Sequence, residues 1–174
     1  MLDYFNEGYV VGEEIKKLAK ENKSKILGLL RKKTKNTNNL VNAMIRNGVL
    51  KLGVYKEIIK KSDFKPRNFL FKCNKDSKPI PTNFEFDTNS LEFFGLWLAD
   101  GCYDGKYGVI VSAGESECLK TIHNFSEKFG LTPRMHSDGF STIISNTTLV
   151  QFMKKIGFDG NSYTKKIPQI IPIL

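Results

Sequence analysis

The sequence predicts an α+β protein with a basic helical module at its front, and three observations predict it. From residue 89 onward, helix-periodic segments alternate with short β-rich runs in the order helix, strand, helix, hairpin, helix. The dipeptide Asp138-Gly139 sits between two of those runs, which is a strong hairpin signal. Charge is uneven along the chain. Residues 1–65 hold 15 Lys+Arg and 7 Asp+Glu, a net of +8, whereas residues 66–174 hold 12 and 11, a net of +1.

The elements follow in order. Ile15, Leu18, Ala19, Ile26, Leu29 and Leu30 recur at helical spacing, so 11–33 reads as one amphipathic helix with lysines on its other face. Asn39 can cap a second helix, 40–46, ended by Asn47-Gly48, and a third runs 54–61. These helices fit either a helix-turn-helix-like reader or a plain bundle with a solvated lysine face. Pro66, Pro79 and Pro81 break the periodicity over 66–88, which reads as a linker with a short strand at 68–73. The second domain is then 89–174. Asn89 or Ser90 caps a helix over 91–100, and Gly101 ends it. A strand is expected at 107–113, a helix at 115–129, a hairpin from 132–137 and 140–145, and a helix at 147–156. Lys165–Ile167 is expected extended, because Pro168 disfavours helix before it.

Composition excludes several classes. The 174 residues are 40% apolar and 11% aromatic, enough to fill a core. The longest apolar run, around Phe93–Ala99, is far short of the roughly 20 residues of a membrane span. The first residues carry no signal-peptide pattern. Cys73, Cys102 and Cys118 are odd in number and form no Cys-x-x-Cys pair, which fits a reducing, intracellular setting and not a disulfide framework. Two histidines without a cysteine cluster argue against zinc, and no Gly-rich loop leads into Lys-Ser/Thr. The overall +9 charge points to a polyanionic partner.

The segment that carries chemistry is Phe93-Phe94-Gly95-Leu96-Trp97-Leu98-Ala99-Asp100-Gly101. It resembles the nine-residue signature of the LAGLIDADG homing endonucleases. Gly95, Leu96, Ala99, Asp100 and Gly101 match letter for letter, and the apolar changes at Phe93, Trp97 and Leu98 are of a kind found in endonucleases embedded in inteins. Further on, Lys165-Lys166-Ile167-Pro168 resembles the Lys-x-Ile-Pro segment that precedes a second motif in that family. The likeness covers roughly residues 84–174. It implies a half-domain in which helices cover one face of a curved antiparallel sheet.

On a helix, Leu91, Gly95, Leu98, Ala99 and Cys102 fall on one side, and Phe94 and Trp97 on another. Gly95 and Ala99 let two backbones approach at the close end of the usual ~8–10 Å packing distance. The resemblance implies that this side, with Leu91 and Leu98, packs against a second such helix. Asp100 ends the helix where the macrodipole is negative, which disfavours a carboxylate by roughly 0.3–1 kcal/mol. Two such aspartates side by side are worse, and a divalent cation resolves the conflict. The resemblance therefore implies Mg²⁺ held at Asp100 and Gly101, and DNA phosphodiester hydrolysis there. It places a catalytic lysine at Lys165, whose strand neighbour Lys166 points the other way. It also implies a saddle-shaped sheet lying on DNA. Arg134 and His136 would share a strand face opposite Met135, and with Lys106, Tyr107 and Thr142 would touch phosphates or base edges.

The expected function is a site-specific, Mg²⁺-dependent double-stranded DNA endonuclease. The chain holds one copy of the motif and ends at Leu174, so a homodimer, a fragment missing its second half-domain, and a degenerate copy all remain open. A non-catalytic regulator or maturase on the same fold is the competing expectation, and a protein whose basic helices are only a solvated surface is the third.

Overall fold

The computed structural model describes residues 1–31, 37–60 and 69–168. The chain divides into two compact units, Leu2–Asn83 and a second that begins at Phe84. Among the described residues it is α+β, with seven α-helices and two four-stranded antiparallel sheets.

The first unit contains β1 (Tyr9–Val11), α1 (Glu13–Glu21), α2 (Lys23–Arg31), α3 (Thr37–Asn47), β2 (Val49–Lys51), α4 (Leu52–Ile59), β3 (Leu70–Lys72) and β4 (Ile80–Pro81). Its sheet order is β2-β1-β3-β4. Register places Leu50, Val10, Phe71 and Ile80 in one cross-strand row, all fully buried. The single helix expected over 11–33 is two. Asn22 ends α1, with its backbone N–H and its side-chain amide both donating to Leu18 O. The stretch 66–88 expected to link the domains carries β3 and β4, which complete the first unit's sheet, and the boundary at 83/84 falls inside that stretch. Pro81 is tolerated because β4 is an edge strand with no ladder beyond it.

The second unit contains α5 (Thr88–Asp100), β5 (Gly101–Asp104), β6 (Gly108–Ser112), α6 (Ser116–Lys128), β7 (Arg134–Met135), β8 (Ser141–Ser145) and α7 (Thr147–Lys155). Its sheet order is β5-β6-β8-β7. Strand β5, absent from the sequence reading, leaves the end of α5 directly. The turn between β7 and β8 holds Gly139 at φ +76°, as Asp-Gly turns require. Residues 165–168 take no regular element.

An aromatic core fixes α5. Phe93, Phe94 and Trp97 are fully buried. Phe93 stacks on Phe125 of α6 with centroids 3.6 Å apart, and Phe94 stacks on Phe158 at 4.2 Å. Helix α5 starts three residues earlier than expected, because Asp87 and neither Asn89 nor Ser90 is its cap. Asp87 Oδ1 accepts from Ser90 N at 3.0 Å and Ser90 Oγ at 2.7 Å, and pairs with Lys128 Nζ.

Candidate functional site

The aromatic face of α5 is sealed into its own unit, and its other face is open. Gly95 and Ala99 are exposed, with Leu91 and Leu98 half-buried beside them. A Cβ built on Gly95 meets nothing within 4 Å. Among the described residues the glycine is therefore not explained by packing, although an interior glycine costs about 1 kcal/mol relative to alanine. Cys102, which a longer helix would add to this side, lies in β5 instead.

Asp100 stands exposed at the last position of α5. Gly101 follows as cap, its N–H donating to Trp97 O. Its lack of a side chain is required, since a Cβ there would lie 2.7 Å from Trp97 Cα and press on the indole. The helix thus ends where the strand must pass against its own tryptophan.

Lys165 comes to this same helix end from 65 residues away in the chain. Its Nζ donates to Trp97 O at 2.8 Å, Leu98 O at 3.3 Å and Gly101 O at 2.6 Å, and lies 4.7 Å from the centre of the Trp97 ring. Trp97 and Leu98 belong to the last helical turn, whose carbonyls carry its negative dipole end, and Trp97 O accepts from Lys165 as well as from Gly101 N–H. A cation is favoured there. Burial pushes the Lys165 ammonium below its ordinary value, and the charges of Cys102 and Asp100 act in the opposite sense. Lys166 is exposed.

Asp100 and Lys165 are therefore brought together at one helix end. The Gly101 carbonyl assigned to a metal already accepts from Lys165, which leaves Asp100 as the anionic ligand that one chain supplies there. No group of three or more His, Cys, Asp or Glu side chains gathers among the described residues. A hard cation taking several oxygens would need a second helix end or phosphate oxygens to complete its shell.

The residues expected on DNA are spread over the β5-β6-β8-β7 sheet. Strand parity puts Arg134 beside Ile143, Ile110 and Cys102 on the face away from the helices. Arg134 is exposed and its Nη2 donates to Ser145 Oγ at 3.3 Å. His136 follows it, 3.1 Å from Asp138 Oδ2. Backbone N–H groups of Phe140 and Ser141 hold the Asp138 carboxyl well below the usual carboxylate range. Lys106 and Tyr107 are exposed in the turn between β5 and β6, the ammonium 5.2 Å from the ring centre. Thr142 does not belong with them. It pairs with Val111 and Met135 on the helix-covered side and is only 5% exposed, so a partner on the outer face cannot reach it. The sequence reading missed the parity of β8, because Ser141–Ser145 is buried at four successive positions and shows no alternation.

The structural boundary also redraws the charge map. Residues 2–83 carry 19 Lys+Arg against 8 Asp+Glu, a net of +11, whereas residues 84–174 carry 8 against 10, a net of −2. The unit that holds Asp100 is slightly acidic, and all of the chain's excess positive charge lies in the other one.

No family model matches the chain. It is 31% identical over 102 residues to DNA-directed RNA polymerase subunit Rpo1C of Methanocaldococcus jannaschii, a match covering 55% of this chain and 12% of that protein. The chain therefore spans about an eighth of the length of the relative it matches. No solved structure matches. No helix among the described residues is long and apolar enough to cross a membrane.

Proposed function

We propose that the chain is one half of a divalent-metal-dependent DNA endonuclease of the LAGLIDADG type, working when α5 meets a second helix of its kind. The observation that carries this reading is the open face of α5. A glycine with no neighbour and an exposed alanine run along it to an exposed aspartate, with a lysine at the same end. Pairing through Gly95 and Ala99 would bring two Asp100 carboxylates together and give both glycines the packing that they lack alone. Mg²⁺, when bound, would polarise the phosphoryl group and activate water. Asp100 would hold it. Lys165 would fix the geometry of the helix end and add positive charge beside the scissile group. The partial likeness to a DNA-directed RNA polymerase subunit is in keeping with association with nucleic acid.

One observation favours a second reading, a nucleic-acid binder without cleavage. An ammonium has three donors, and Lys165 spends all three on backbone carbonyls, which is a structural role. A single experiment separates the two readings. Purified chain is incubated with supercoiled plasmid libraries and Mg²⁺ or Mn²⁺, and nicking or linearisation is followed on gels. The endonuclease reading expects cleavage that Asp100→Asn abolishes while binding persists. Equal cleavage by Asp100→Asn, or binding without cleavage by the parent chain, would sink it.

A further inference from the structure

Helix α3 of the first unit shows a surface that the cleavage reading does not use. Asn38, Asn39, Asn42 and Arg46 are exposed. At 100° per residue these four fall within about 100° of the helix circumference. Thr37, Val41 and Met44 are buried on the other side, and α3 packs there on α1 and α2. Among the described residues, no side-chain hydrogen bond or ion pair ties Asn38, Asn42 or Arg46.

The choice of residues is not that of an ordinary solvated face. Asparagine is among the weaker helix formers, because its amide competes for backbone groups. The neighbouring helix α1 fills its exposed positions with lysine and glutamate, at Glu13, Lys17, Lys20 and Glu21. Placing three amides and one guanidinium on the open side of α3 gives up helical stability for a particular hydrogen-bonding pattern. An amide both donates and accepts, which matches the adenine N6/N7 edge, and a guanidinium matches guanine O6/N7. The stripe from Asn38 to Arg46 spans about 12 Å at 1.5 Å per residue. That covers three to four steps of roughly 3.4 Å along one strand of duplex DNA. The surrounding unit, at net +11, supplies the attraction to phosphate that brings such a helix to the groove.

We infer that α3 is a base-reading helix, and that Asn38, Asn42 and Arg46 enter the major groove of duplex DNA and select its sequence. This goes beyond the cleavage reading and does not depend on it, since the selection operates in EDTA.

The test uses the full chain, a library of randomised DNA duplexes and EDTA throughout. The best-enriched duplex and a scrambled duplex of equal length and composition are then titrated by fluorescence anisotropy. The expected parent preference for the enriched duplex is at least about tenfold. Asn42→Ala and Arg46→Ala should each weaken the enriched complex roughly five- to hundredfold and leave the scrambled one nearly unchanged. Lys17→Ala should weaken both equally, as a phosphate contact does. Arg46→Lys keeps the charge and should not restore the preference, because an ammonium cannot form the paired contact. All three positions are exposed, so thermal melts should stay close to the parent and report intact folding. Failure to enrich any sequence would overturn the proposal. So would equal losses on both duplexes, no loss on either, or the same residue dependence on duplex RNA, whose deep, narrow major groove side chains cannot read.

Discussion

The two units share an architecture and differ in charge. Each is a four-stranded antiparallel sheet with helices, and each buries apolar residues of its strands. The first carries net +11 and the second −2. The contrast teaches that holding a polyanion and acting on it are chemically opposed tasks. A site built on carboxylates repels phosphate until a cation is bound, and each added lysine beside it would compete with that cation for the carboxylate. Placing the excess of basic residues in a separate unit limits that competition, and Lys165, the lysine at this helix end, is held by backbone carbonyls. On the reading proposed here, the first unit supplies affinity and sequence choice, and the second supplies one aspartate on a helix prepared to meet another.

The largest expected effect separates the two tasks. Asp100→Asn should lower cleavage by about a hundredfold or more while leaving DNA affinity within about twofold, read by gel assay and anisotropy. If affinity falls along with cleavage, the division between units fails. Next, Lys17→Ala, Lys20→Ala and Lys23→Ala combined should flatten the dependence of log affinity on log salt by up to about 0.9 per lost phosphate contact. Removing Lys106 and Lys120 from the second unit should change that slope less. Equal slopes for the two sets would break the comparison.

Which parts of this were legible in the sequence has physical causes. Helix α5 was legible because an apolar run of helical length ends in Asp-Gly. The hairpin β7-β8 was legible because Asp138-Gly139 has one natural conformation. Strands β1 and β2 were not, since three residues carry barely one cycle of alternation and their partners lie about 40 or more residues away. Strand β3 was expected at 68–73 and lies at Leu70–Lys72, whereas β4 was hidden by Pro79 and Pro81, which read as breaks and instead mark an edge. At the site, Asp100 and Gly95 stood out as residues that a plain helix would avoid. The three bonds from Lys165 to the helix end did not, because a contact between residues 65 apart leaves no local pattern. Thr142 was misplaced for the same reason as the strand parity, since its segment is buried throughout.

The two motif glycines give a sharper pair of predictions. Gly101→Ala forces a methyl against Trp97 and should destabilise the second unit by about 1–3 kcal/mol in denaturant titrations. Gly95→Ala adds a methyl into open space within a helix and should stabilise the isolated chain by about 0.5–1 kcal/mol. If α5 pairs through that face, the same methyl should weaken self-association, measured by sedimentation equilibrium. Stabilisation without any change in association would show that the glycine serves no helix pairing.

The smallest effect tests how α5 begins. The Lys128 ammonium and then Ser90 hold the Asp87 carboxyl at about 2, below the usual value near 3.9. A carboxyl depressed by folding contributes stability that is present above its unfolded value and lost as pH falls through the folded one. Asp87→Ala should therefore cost about 1 kcal/mol at neutral pH, the usual worth of an N-cap. That cost should shrink as pH falls below about 4 and be largely gone by about 2. Asp87 is half exposed, so its pairing with Lys128 should add little to the cap itself. Asp87→Asn distinguishes the two contributions. Asparagine caps a helix as well as aspartate but cannot titrate, so this variant should keep most of the neutral-pH stability and lose its dependence on pH. If Asp87→Asn were instead as unstable as Asp87→Ala at pH 7, the start of α5 would rest on the ion pair with Lys128 and not on the Ser90 N–H bond.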